Sequence, residues 1–292
     1  MTETVCHSQS DLPEPPNSSD DLPPDMATSR TQPRVSWQSL FVGVMFAFMY
    51  LPIAVLAVYS VNDSAYSAAW EGFTLNWYAR LLQDARIFSA LRNSLTVALS
   101  AVGVSAVLGT LMAVGLARYR FLGKKLYLGI SYLPLIVPDI AIAVATLVFL
   151  AAVGFSLSLW TIVAAHIVFC LAYIAIVVST RLADLDANLE EAALDLGATP
   201  IQAFLKVLLP QLMPGIVSGC LLAFVLSLDD FLIASFTAGA GATTLPMEIF
   251  SRIRTGVKPD INALSVILIL VSGLLAFVAE YLRYRSEAKQ QR

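Results

Sequence analysis

The stretch RLADLDANLEEAALDLGATPIQAFLKVLLP, residues 181–210, is where the reading of this chain turns. Leu182, Leu185, Leu189, Ala193 and Leu196 recur at three-to-four spacing, the apolar stripe of a helix. Asp184, Asp186, Glu190, Glu191 and Asp195 fill its other faces. Gly197 then offers a left-handed C-cap, and Thr199 a hydroxyl N-cap with Pro200 at the first helical position. A second short helix follows, with Phe204, Val207 and Leu208 on one face, and is expected to end before Pro210. The stretch is thus two short amphipathic helices hinged at Gly197-Ala198-Thr199-Pro200.

On both sides of this hinge the chain is unusually apolar. Of 292 residues, 58% are hydrophobic and 13% charged, where a soluble domain carries about 25% charged residues. The apolar residues gather into six blocks, approximately 37–61, 93–117, 126–150, 157–180, 214–236 and 262–282. Each is long enough to cross a hydrocarbon layer of about 30 Å at 1.5 Å rise per residue. In lipid each must do so as a helix, because open backbone groups find no partner there. The expectation is an all-α membrane protein with six transmembrane helices. That excludes an ordinary soluble enzyme and a disordered protein, and with a net charge of −3 no nucleic-acid partner is expected. Three cysteines, Cys6, Cys170 and Cys220, indicate neither a disulfide framework nor a metal site.

Lys and Arg set the orientation. With the N-terminus inside, twelve bases fall on inner segments and six on outer ones, so both termini are expected in the cytoplasm. Residues 181–213 are then the longest cytoplasmic connection between two spans. The outer segment 62–92 carries Trp70, Phe73, Trp77 and Tyr78, as an interfacial helix would. Residues 1–34, rich in Pro, Ser and Asp, are expected to be a disordered acidic cytoplasmic tail rather than a cleaved signal peptide.

The hinge region resembles a known family. Glu191-Ala192-Ala193-x-x-x-Gly197, followed by Val207-x-Leu209-Pro210, is similar to the EAA loop of bacterial ABC-importer permeases, which have Ile where Val207 stands. The resemblance runs from Trp37 to Arg283 and is nearest the polyamine-importer branch. Tyr59-Ser60-Val61-Asn62, the run from Pro134 to Asp139, the run from Leu226 to Phe236, the run from Gly241 to Met247, and Ile261-Asn262-Ala263 carry it. It implies the type I importer (MetI-like) permease fold in a bacterial inner membrane. It also implies a cargo of putrescine or a related polyamine. The partners it implies are a second homologous permease, a dimer of ATPase subunits and a periplasmic polyamine-binding protein, all around membrane lipid. Glu190, Glu191, Ala192, Ala193, Gly197, Ala198, Pro200 and Pro210 are then the residues that couple the permease to the ATPase. Their chemistry suits such a contact. Ala192 and Ala193 let another surface approach closely, and Glu191 can pair with a base.

This chain is expected to be no enzyme and to bind no cofactor, with ATP and Mg used by the partner ATPase. The Gly123-Lys124 step has Arg118 where a phosphate loop needs its first glycine, and no Ser or Thr follows the lysine. No catalytic or metal-ligating group is assigned.

Intramembrane acids are costly and mark functional sites. Counting along straight helices puts Asp139 roughly 20 Å, and Asp229 and Asp230 roughly 23 Å, from the cytoplasmic face. No Lys or Arg is expected at that depth, so an amine cargo would supply the counter-charge. Asp139, Tyr173, Asp229, Asp230 and Phe231 are the candidate pathway or gate residues, with Tyr132 and Phe236 as further aromatic neighbours. Capping of a helix end is the alternative for Asp139 and Asp229. Asp230 is expected about 100° around the helix from Asp229, off the same path. His166 is expected to make an interhelical hydrogen bond, and Glu280 with Arg283 an interfacial pair. Other readings of the whole are the same importer with spermidine, another amine or a small anion as cargo, and an ion-coupled secondary transporter using His166 and Asp139. A membrane-embedded hydrolase is a more distant one, with no nucleophile and base at helical spacing.

Overall fold

The computed structural model describes residues 37–64, 69–186, 188–256 and 259–290, with the side chains at 275, 276 and 278–290 outside that description. The expected tail at 1–34 and the Glu280–Arg283 pair therefore lie outside the described part. The helices are α1 (Trp37–Tyr59), α2 (Asn76–Leu81), α3 (Ala85–Arg118), α4 (Lys124–Ser131), α5 (Asp139–Val153) and α6 (Leu159–Ala183). They continue with α7 (Leu189–Asp195), α8 (Pro200–Ala203), α9 (Leu209–Asp229), α10 (Leu232–Thr237), α11 (Leu245–Thr255) and α12 (Pro259–Gln290). By contacts the chain divides into two units, Met1–Pro52 and Ile53–Arg292. The described part of the first is apolar helix, residues 37–52 of α1.

In the second unit α6 is the central element and packs against both α3 and α9. Ile162, Ala165, Phe169, Cys170, Ile174 and Val178 of α6 sit in one buried cluster with Val97 and Ala101 of α3 and Leu212 and Ala223 of α9. Lipid supplies no hydrophobic drive between helices, so contact depends on close approach. Small residues provide it. A Cβ at Gly109 would stand 3.1 Å from the Leu171 carbonyl oxygen, and one at Gly219 would stand 3.3 Å from Ile174 Cα. Ser105 adds a hydrogen bond from Oγ to the Ile167 carbonyl at 3.3 Å. Ser105 with Gly109, and Gly215 with Gly219, thus serve for packing, and a Cβ at Gly215 would stand 2.8 Å from Arg181 Cβ.

Among the described residues, four helical stretches are long and apolar enough to cross a bilayer: 37–59, 85–118, 159–183 and 200–229. The expected third span, 126–150, is instead a broken pair. Residues 124–135 and 139–153 are bent by 107° about the Ile136–Pro138 break. Pro134 and Pro138 cause this, because each lacks an amide donor and disfavours helix in the residue before it. The expected sixth span falls in α12, whose described apolar stretch, Pro259–Leu274, is shorter than a crossing needs. The second span begins eight residues earlier than expected, because Asp84 caps α3: its carboxylate accepts from the Arg86 and Ile87 amides at 3.0 and 3.3 Å.

Asp84 also belongs to an ion-pair network that joins the starts of α3 and α12 to α11. Arg252 of α11 reaches Asp84 at 2.7 Å, Glu248 at 2.9 Å and Asp260 at the start of α12 at 3.2 Å. Burial opposes ionisation of Asp84, but the Arg252 hydrogen bond and the α3 amides outweigh it and hold its carboxyl below the ordinary value of 3.8. Burial likewise opposes the charge on Arg252, and the Asp84 and Glu248 hydrogen bonds push its pKa up regardless. A lowered acid pKa stabilises the fold above the ordinary value and loses that contribution as pH falls through the lowered one. Arg252→Gln is therefore expected to cost about 1 kcal/mol at neutral pH, since these side chains are partly exposed and screened. The gap from the parent should close as pH falls below 4. Thermal unfolding in detergent across that range checks it, and a gap that persists in acid would exclude the ion pairs as its source.

Candidate transport cavity and coupling loop

The fifth expected span begins earlier than 214 and breaks before 236. From Pro200 the helix runs through α8, a π-helical turn at Phe204–Leu208 and α9 to Asp229. The expected stop before Pro210 is therefore absent. In a regular helix the Pro210 ring would press on the carbonyl four residues back. Here the Leu209 amide bonds the Phe204 carbonyl, five residues back, and the wider π turn accepts the proline. At the other end Asp230 leaves helical geometry (φ −66°, ψ 120°) and a new short helix, α10, starts at Leu232.

That break builds a cavity of about 290 Å³. It is lined by Pro134, by Asp139 at the start of α5, by Phe169 and Tyr173 of α6, and by Leu226 and Asp229 of α9. Asp230 and Phe231 of the break and Leu232 and Ile233 of α10 complete it. The five candidate pathway residues thus meet in one place. Tyr132 and Phe236 are not among the lining residues, while Phe169, Leu226, Leu232 and Ile233 are additions from the tertiary structure. None of the ten is Lys or Arg. Depths counted along straight helices do not apply, because both contributing spans are interrupted. For the same reason the 100° separation of Asp229 and Asp230 fails, and both line the cavity.

The three carboxylates differ in what they already hold. Asp230 is engaged: Oδ1 accepts from the Ile233 amide at 3.3 Å and Oδ2 from the Ala234 amide at 2.8 Å. The helix-terminal role weighed for Asp229 falls to its neighbour. Asp139 and Asp229 are exposed and make no side-chain hydrogen bond or ion pair among the described residues. Phe231 is set by a ring contact with Phe250 of α11, centroids 4.4 Å apart. His166 makes the expected interhelical bond, Nδ1 to Ser227 Oγ at 2.8 Å.

In the loop, α6 ends at Ala183 and α7 starts only at Leu189, so the expected first helix is shorter than its apolar stripe. Asp186 Oδ1 accepts from the Asn188 amide at 2.9 Å and turns the chain between them. The Gly197 turn is a Schellman cap. Gly197 has φ +86°, its amide bonds the Leu194 carbonyl at 2.9 Å, and the Ala198 amide bonds the Ala193 carbonyl at 3.1 Å. Thr199 and Gln202 then form a reciprocal capping box at 3.1 and 3.3 Å. Glu190 pairs with Arg118 Nε at the end of α3 (3.0 Å). Glu191, Ala192, Gly197 and Pro200 are exposed, while Ala193 is buried within this chain, so of the two alanines only Ala192 is open to another surface. Leu194, Leu196, Ile201 and Leu205 are exposed beside them, Leu196 at 90%.

Comparison with known proteins places this arrangement. Residues 105–292 match the family described as binding-protein-dependent transport system inner membrane component. The chain is 43% identical, over 89% of its own length and 95% of the relative's, to the putrescine transport system permease protein of Escherichia coli (strain K12). It is 39% identical, over 83% of its length and 95% of the relative's, to the spermidine/putrescine transport system permease protein of Haemophilus influenzae. Its fold matches that of a bacterial ABC transporter involved in the import of alginate. The TM-score is 0.67 at 17% identity, over 84% of this chain and 94% of that one. Such subunits are not catalytic, and ATP hydrolysis resides in a separate subunit. A cavity at one end of an interrupted span and an exposed capped loop at the other, together with these likenesses, identify the chain as a member of the binding-protein-dependent inner-membrane component family, a multi-pass permease subunit of an ABC importer with the type I fold.

Proposed function

We propose that this permease moves putrescine, or a closely related polyamine, inward by alternating access. The observation that carries the reading is a cavity with two unengaged carboxylates, Asp139 and Asp229, and no basic lining residue. A diamine brings two ammonium groups, each of which prefers a carboxylate or an aromatic face, and Tyr173 and Phe231 add the latter. Helix ends divide the work. Asp229 closes α9, where the negative end of the helix adds to its charge. Asp139 opens α5, whose positive end offsets part of its charge. Asp229 is therefore the stronger cation ligand.

The names of the relatives support the cargo class, and the second of them supports spermidine as the other reading. Carboxylates facing the path disfavour a small anion. Glu191, Ala192 and the apolar group Leu194, Leu196, Ile201 and Leu205 form the docking surface for an ATPase subunit, with Gly197, Ala198 and Pro200 shaping the turn. Pro210 and the π turn join that surface to α9, so movement of the loop is passed to the cavity-lining helix. ATP and Mg are used by a dimer of that ATPase. A second homologous permease completes the pathway, a periplasmic polyamine-binding protein delivers cargo to the outer loops, and both termini lie in the cytoplasm.

Labelled putrescine uptake with and without the partner ATPase tests the reading, and ATPase-dependent uptake is expected. Uptake that persists without the ATPase overturns the mechanism, and its absence with the complete system overturns the cargo. Asp229→Asn is expected to lower cargo moved per ATP hydrolysed by about tenfold, the worth of one charge-assisted contact. An unchanged ratio removes Asp229 from the path.

A further inference from the structure

Asp229 and Asp230 are neighbours in sequence, yet the break between α9 and α10 gives them different surroundings. His166 explains how the difference is held. It is 1% exposed on α6, and its two ring nitrogens face two positions of the interrupted span. Nδ1 is 2.8 Å from Ser227 Oγ. Nε2 is 3.3 Å from Asp230 Oδ2, an ion-pair distance without hydrogen-bond geometry. The pairing selects a tautomer. If Nδ1 donated to Ser227, the Nε2 lone pair would face a carboxylate oxygen and be repelled. With Ser227 donating to Nδ1, Nε2 carries the proton and presents it to Asp230.

We propose that His166, anchored by Ser227, is the positioning residue that holds the α9–α10 break in register through Asp230, so that Asp230 is a latch and Asp229 is left for cargo; the second half of this rests on the cation pathway proposed above. Asp230 Oδ2 then accepts from the Ala234 amide and faces the imidazole at 3.3 Å, and Oδ1 is occupied by Ile233. The latch ties α6, α9 and α10, three of the four helices that line the cavity, and α10 packs on the fourth, α5. Ser, His and Asp are also the residue types of an acyl-transfer triad. Ser227 is 4% exposed and outside the cavity lining, so its hydroxyl meets no substrate and serves as an anchor.

A loosened break shifts the balance between the resting and the outward-opening states, and ATP hydrolysis without binding protein reads that balance in the complete importer reconstituted in proteoliposomes. His166→Ala and Asp230→Asn are each expected to raise it by about fivefold. His166→Gln carries an amide nitrogen to the Nε2 position and is expected to restore the parent rate. His166→Asn reaches only the Nδ1 position and is expected not to. The double variant His166→Ala, Asp230→Asn should match the single ones, because both remove one contact. Parent-level hydrolysis in His166→Ala overturns the proposal, as does equal rescue by Asn and Gln. A drop in assembled complex with unchanged rate per complex shows plain packing and overturns it too. If His166→Ala does not assemble, Ser227→Ala frees the tautomer with the loss of one hydroxyl and must give the same direction. This assay uses no cargo, so a failure of putrescine uptake sinks the cargo reading without touching the latch.

Discussion

Glu191→Lys is expected to lower ATP-driven uptake by about a hundredfold or more while the chain still inserts and assembles with its permease partner. The neighbouring acids of α7 have unequal freedom. Glu190 is held by Arg118 at 3.0 Å, whereas Glu191 is exposed on the first turn of the same helix. Of the two, Glu191 is the one left for a base on the proposed ATPase partner. Placing like charges opposite each other at an interface costs several kcal/mol, which sets the hundredfold scale. Glu190→Gln loses a partly exposed pair within this chain and is expected to cost about 1 kcal/mol of stability with little change in coupling. Uptake and ATP hydrolysis measured side by side decide the matter. Normal uptake by the Lys variant would remove Glu191 from the docking surface.

Gly239→Ala is expected to be the most damaging small substitution in the described fold. A methyl group there would overlap the Leu157 carbonyl oxygen and lie 2.7 Å from the Ser158 amide nitrogen. These are backbone atoms at the start of α6, so no side chain can swing aside. Thr161 Oγ1 lies 2.8 Å from the Thr237 carbonyl and ties the same two segments together, leaving little room to shift. Forced overpacking of this kind costs about 3 kcal/mol, against a total stability of about 5–15 kcal/mol. Gly103→Ala is the control. It lies inside α3 with open space around its Cβ position, and helix propensity favours alanine by about 1 kcal/mol. The yield and thermal midpoint of extracted protein are expected to fall sharply for Gly239→Ala and to hold or rise for Gly103→Ala. Parallel behaviour of the two would mean that the α6 start can move.

The loop at 181–213 was largely legible because its signals are local. A Gly-Ala-Thr-Pro run states a stop, a cap and a restart within four residues, and the structure forms both caps there. Only its outer limits shifted. Asp186 interrupts the first helix, and a π turn carries the second through Pro210. The cavity was legible in part. Acids in apolar blocks announce themselves by their cost in lipid, so Asp139, Asp229 and Asp230 could be named, with Tyr173 and Phe231 as the aromatic faces an ammonium group prefers. Their division of labour could not, because depth and facing angle were counted along helices that the fold interrupts.

What the sequence by itself determined is therefore most of the spans, the hinge of the loop at 181–213 and the residues that have to be reckoned with in the membrane. These follow from composition, spacing and cap chemistry within a few residues of each other. What only the tertiary structure decided is which of those residues meet. Ser227 and His166 are 61 positions apart, Asp84 and Arg252 are 168 apart, and Gly239 lies against Leu157 at an ordinary backbone angle. No local pattern marks such pairs. They exist because helices in a membrane choose partners by close packing and by satisfying buried polar atoms, and that choice is made by the whole bundle at once.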